Sequence, residues 1–135
     1  MFSQRYIQFL LWFLVLLDLF LSGICLVSPA AWGQLMHGQL IQDEFGVIRR
    51  LGAVWLAFLV FQTLALLNWK KAPYWLVLVA GIRLTEVFSD WFYGYFASDL
   101  SWFGFAGLLI APPANAFFGW YLIRAYHFYQ NNGAQ

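Results

Sequence analysis

Apolar residues in this chain gather into four long runs separated by short polar segments. The first run covers residues 7–27 and is broken only by Gln8, Asp18, Ser22 and a few small residues. The others cover residues 47–67, 74–96 and 102–126. Each run matches the roughly 20 residues that a helix needs to cross bilayer hydrocarbon. A backbone in that setting must satisfy its hydrogen bonds internally, which selects the helix. The pattern therefore predicts an all-α membrane protein in which a single domain, residues 1–135, forms an antiparallel bundle of four transmembrane helices. A cleaved signal peptide would carry a shorter apolar region and a small-residue cleavage site, and Ala30-Ala31 is a poor match. A lipoprotein signal ending at Cys25 would need a small residue where Ile24 stands. The first run is read as a retained helix.

The connections predict further detail. Ser28-Pro29 reads as a helix cap followed by proline at the first helical position. Residues 30–35, with Trp32, then form a short interfacial helix that Gly38 ends. Asp43-Glu44 precede the second run, where acidic side chains favour a helix N-terminus. Residues 68–73 and 97–99 are short turns, and the polar residues 130–135 are expected to fray. With four crossings, Arg5, Lys70, Lys71 and Arg124 share one side, while Arg49 and Arg50, offset by Asp43, Glu44 and Asp99, share the other. The excess of Lys and Arg on the first side places both termini in the cytoplasm. Trp69 and Trp75 are expected at the inner interface, and Trp32, Trp91 and Trp102 at the outer one.

Polar positions inside the runs change the picture most. Arg83, Glu86 and Asp90 form one stripe of the third helix. Each charge near a bilayer centre costs about 2.5–3.5 kcal/mol on insertion scales, so the stripe must face partners inside the bundle. Counting from the turns places Asp18 and Asn115 level with Arg83, and Arg49 and Arg50 within one turn of Asp90. The expected arrangement pairs Arg83 with Asp18 and Glu86, with Gln62 and Asn115 adding hydrogen bonds. Asp90 pairs with Arg49 or Arg50 nearer the outer surface. Such a cluster either fixes the register of the bundle or lines a ligand pocket or proton path. Gly107, Ala111, Asn115 and Gly119 recur every four residues along the fourth run, a spacing that lets another helix approach closely; Ala53 and Ala57 repeat it in the second. Pro112-Pro113 should bend the fourth helix, as a simple curve or as a hinge.

Composition narrows the function. Only 10% of the residues are charged and 63% are hydrophobic, against roughly 25% charged in soluble domains. A net charge of +1 provides no basic field for nucleic acid. One cysteine forms no internal disulfide. Metal-protease, redox, nucleotide and hydrolase motifs are absent from the sequence. His37 falls in a loop and His127 at the end of the last run, with no paired histidine at matching depth for a haem, so no cofactor and no metal is expected.

From Ile48-Arg49-Arg50-Leu51-Gly52-Ala53 through Gly81-Ile82-Arg83-Leu84-Thr85-Glu86, with Pro29 soon after the first run, the chain resembles the small bacterial DoxX-like four-helix membrane proteins. The resemblance implies a four-span fold in a bacterial inner membrane and little defined chemistry. It leaves unexplained the eight Trp and fifteen Phe. The expected function is that of a non-catalytic accessory or stabilising subunit of a larger membrane complex, partnered by lipids and other integral membrane subunits. The alternative is a small transporter or lipid- or hydrophobic-ligand-binding protein with a charged intramembrane pocket.

Overall fold

The computed structural model describes residues 3–132, which are helical apart from short connections and contain no strand. Five helices follow one another: α1 (Gln4–Val27), α2 (Pro29–His37), α3 (Val47–Asn68), α4 (Tyr74–Phe96) and α5 (Trp102–Asn132). The four long helices contain the four apolar runs, α5 continuing past residue 126 to Asn132, and α2 is the expected short helix. Residues 130–132, expected to fray, are helical; residues 133–135 lie outside the described residues.

Three of the helices, α1, α3 and α5, are long and apolar enough to cross a membrane. Length and composition thus bear out three of the four expected spans. At 23 residues α4 has the length, but any stretch of about 20 residues within it contains Arg83, Glu86 and Asp90 together. The stripe that makes α4 interesting is what removes it from the apolar set.

The long helices pack as two close pairs. α1 lies along α3 and α4 along α5, while α3 and α4 adjoin over a much shorter stretch. Buried stripes at helical spacing explain the pairing: Ile7, Leu11, Leu14, Asp18, Ser22 and Cys25 on α1, and Leu76, Val79, Ala80, Arg83 and Val87 on α4. At the end bearing the described termini and the 68–73 turn, all four long helices join in one apolar core. There Ile7, Leu11, Leu14, Ala65, Leu76, Val79, Ala80, Leu122 and Ala125 are fully buried. At the other end, Cys25, Trp32, Met36 and Trp55 form a smaller core beneath α2.

Two tryptophans depart from their expected interfacial places. Trp69 is 1% exposed and packs against the Tyr129 ring at 5.5 Å. Trp32 is 8% exposed and meets Trp55 edge-on at 5.2 Å. Each ring fills space between helices that only its own chain supplies, so burial within the protein outweighs a place at the headgroups. Trp91 and Trp102, by contrast, are exposed.

Glycine allows close approach at several helix contacts. A Cβ on Gly119 would lie 2.7 Å from Leu84 Cγ, as expected for a packing residue on α5. Gly107 does not pack: a Cβ there would meet nothing within 4 Å. Ala111 is half-buried, and Ala53 and Ala57 are exposed. Near α2 the contact face of α5 passes instead through Gly104, whose Cβ would fall 2.2 Å from the Met36 carbonyl oxygen. On α3 it is Gly52, against Cys25 and Leu26, that allows close approach. α5 continues as helix through Pro112-Pro113, with Pro112 buried and Pro113 exposed.

The ends of the helices follow the sequence with one exception. Pro29 opens α2 and Gly38 closes it at φ 68°, but the Ser28 side chain makes no capping bond. Asp43 caps α3. Its two carboxylate oxygens accept the Ile48 amide at 2.9 Å and the Arg49 amide at 3.2 Å. Partial desolvation works against ionisation, yet these bonds and the nearby Arg49 guanidinium hold the carboxyl below its ordinary range. A carboxyl whose folded pKa is depressed stabilises the fold above the unfolded value of about 3.9 and loses that contribution as pH falls through the folded value. Exchange of the Ile48 and Arg49 amides should therefore accelerate below that range, beyond the intrinsic pH effect, and Asp43→Ala should accelerate it at neutral pH.

Candidate functional site

Midway along the bundle, between its two apolar cores, three helices each contribute one fully buried polar residue. Asp18 of α1 and Gln62 of α3 are 0% exposed and Arg83 of α4 is 1% exposed. Both Arg83 Nη2, at 2.8 Å, and Gln62 Nε2 donate to the same carboxylate oxygen, Asp18 Oδ2. The Arg83–Asp18 ion pair expected from turn counting is thus formed, and it ties the α1–α3 pair to the α4–α5 pair. Arginine suits the task because its stem is long and its head carries five N–H donors.

The cluster is not saturated. Asp18 Oδ1, Gln62 Oε1 and Arg83 Nε are buried without a hydrogen-bond partner. Each such atom costs roughly 1–3 kcal/mol. A cluster built only to fix register would gain by satisfying them.

Glu86 and Asp90 depart from the expected pairing. Glu86 makes no ion pair with Arg83; its Oε2 accepts the indole N–H of Trp55 at 3.4 Å. Asp90 pairs with neither Arg49 nor Arg50; its Oδ2 accepts the amide of Asn115 at 3.4 Å. Arg49 is held by Asp43 at 3.3 Å, and Arg50 is exposed. The local loop carboxylate reaches Arg49 more readily than an acid on another helix. Asn115 bonds Asp90 rather than lying level with Arg83, an offset of about two helical turns. The reason is that α5 starts beyond the end of α4, where Ser101 N donates to the Met36 carbonyl at 2.9 Å and Ser101 Oγ accepts the Gly104 amide at 2.9 Å.

The buried stripe of α4 runs from Arg83 to Val87, which leaves Glu86 and Asp90 half-buried on its flank. Trp55 is the hydrogen-bond partner of Glu86 that hydropathy conceals, since an indole N–H does not alter an apolar pattern. Counting from the 68–73 turn does place it level with Glu86. At the α2 end a separate cleft of about 320 Å³ is lined by His37, Tyr93 and Asp99 among others, and His37 Nε2 lies 2.6 Å from the Tyr93 hydroxyl.

Comparison with known proteins gives this site no relatives: no family model, no curated protein and no solved structure matches the chain.

Proposed function

We propose that this chain is a four-span integral membrane protein of a bacterial inner membrane, with both termini cytoplasmic, acting without catalysis as an accessory or stabilising subunit of a larger membrane complex. α4 takes part as the fourth span because its length suffices and Arg83 turns inward, 1% exposed. The observation that carries the subunit role is the outer end of α4. Residues 91–96 are all exposed, and they include Trp91, Phe92, Tyr95 and Phe96 at 61%, 65%, 83% and 74%. This end keeps own-chain contacts at Tyr93, beside His37, and at Gly94, beside Leu108, and turns its other aromatic rings outward. Large exposed apolar patches of this kind fit protein contact.

A photo-crosslinking residue at Tyr95 in native membranes should yield a protein adduct of defined mass, while the same residue at Phe9 on α1 should yield lipid. Lipid adducts alone at both positions would overturn the subunit role.

The second reading, a small transporter or lipid- or hydrophobic-ligand-binding protein, is favoured by the unsatisfied atoms around Asp18. On that reading Glu86→Gln abolishes ligand binding while the helices and the apolar cores persist.

A further inference from the structure

Charge is spread unevenly along the bundle. Four of the Lys and Arg residues, Arg5, Lys70, Lys71 and Arg124, belong to the end that bears the described termini, and no Asp or Glu does. Asp18, Glu86 and Asp90 lie within α1 and α4, and Asp43, Glu44 and Asp99 lie in the connections at the other end, with Arg49 and Arg50 beside them at the start of α3. Packing makes neighbours of the four cations. Ile7, Trp69 and Ala125 meet in one buried core, and each stands within two residues of one of them, so the cations surround the rim of that core.

All four are exposed. Among the described residues none of them is ion-paired, and the Lys70 ammonium lies 5.9 Å from the centroid of the Trp69 ring. Two of the long helices begin at this end and two finish there, so their dipoles offset one another and the side chains decide the sign. A rim of one sign without an internal counter-charge attracts an external anion.

The surroundings select what carries that anion. Further along the helices Phe9 and Phe61 turn exposed rings outward, a surface suited to hydrocarbon. At the rim Tyr6 and Tyr74 are exposed, amphipathic rings of the kind found at headgroup level. Long basic side chains reach the same level by keeping their stems on apolar surface and their heads in water. A phosphate there accepts hydrogen bonds from ammonium, guanidinium and phenol alike. A zwitterionic headgroup brings a second cation that the rim repels, and an anionic headgroup does not.

We propose that this end of the bundle is a collar that holds anionic phospholipid, the phosphate oxygens bound by Arg5, Lys70, Lys71 and Arg124. This rests on the membrane-spanning reading of the chain and not on the subunit role.

The test uses the full chain in nanodiscs, with spin-labelled phosphatidylglycerol and phosphatidylcholine of the same acyl chains competing for the protein's lipid shell. Phosphatidylglycerol should be preferred at least about fivefold, the effect of one basic residue near an anionic surface. Lys71→Gln/Arg124→Gln, at two exposed positions, should remove most of the preference, and Lys70→Gln should lower it further. Arg50→Gln, exposed at the end where the acids gather, should leave it unchanged. Salt at about 1 M, where charges are screened within about 3 Å, should abolish it. Equal association of the two lipids with the wild type, or a preference that persists in the double variant, would overturn the collar. Were the lipids equal and the double variant instead to lose a protein crosslink in native membranes, the anion would be a partner's carboxylate and the lipid assignment would fall. A chain that enters nanodiscs of neither lipid would overturn the membrane-spanning reading and the collar with it.

Discussion

Arg83→Gln is expected to destabilise the protein by about 3–5 kcal/mol, the usual cost of leaving one partner of a buried ion pair uncompensated. The loss falls on Asp18, which is 0% exposed and receives its two hydrogen bonds from Arg83 and Gln62. Glutamine is too short to span the gap that the arginine bridges between the two helix pairs. The double variant Asp18→Leu/Arg83→Met should recover most of the loss, because removing both charges removes the desolvation cost with them. Reversible unfolding in mixed micelles, measured for both single variants and the double, checks this. If the double variant is no more stable than Arg83→Gln, the pair is not acting as an isolated buried ion pair.

Gly104→Ala is expected to cost about 1–3 kcal/mol, in the range typical of overpacking. The added Cβ would sit 2.2 Å from the Met36 carbonyl oxygen, 3.1 Å from its carbon and 3.2 Å from its Cα. These are backbone atoms, so α2 and α5 must part. The parting strains the 2.9 Å bond from Ser101 N to the same carbonyl. Gly107→Ala is the control. Its Cβ meets nothing within 4 Å, and alanine gains about 0.8–1 kcal/mol over glycine in a helix interior. The two substitutions, three residues apart on one helix, should move the unfolding midpoint in opposite directions. Equal effects would show that the α2–α5 contact is not as close as 2.2 Å implies.

These two expectations differ in how far the sequence foretold them. The Arg83–Asp18 pair was legible. A charge in an apolar run must find its opposite, and equal depth in antiparallel helices indicates where. Trp55 and Glu86 lie where the same counting through the 68–73 turn puts them. The count failed where a connection does more than reverse the chain. Because α5 begins against α2, Asn115 arrives beside Asp90 instead of Arg83. Gly104 was not legible at all. The four-residue spacing of Gly107, Ala111, Asn115 and Gly119 drew attention to a stripe that packs only in its second half. Nothing in a one-dimensional pattern says where α2 will cross.

The sequence by itself determined the helices and their order, and all but the C-terminal extent of α5. Hydrophobic run length and turn residues are local properties, and a backbone away from water has few alternatives to the helix. It also determined that Arg83 would be paired, since an unpaired buried charge is too costly to persist. The tertiary structure alone decided which charges remain over. Arg49 went to Asp43 because a loop carboxylate six residues away competes better than an acid on another helix. Arg83 went to Asp18 and Arg50 stayed exposed, so Glu86 and Asp90 were left with an indole and an amide, and three buried atoms around Asp18 were left unpaired. Charge balance along a chain is a sum. Charge balance at a site depends on which side chains the packing brings within reach.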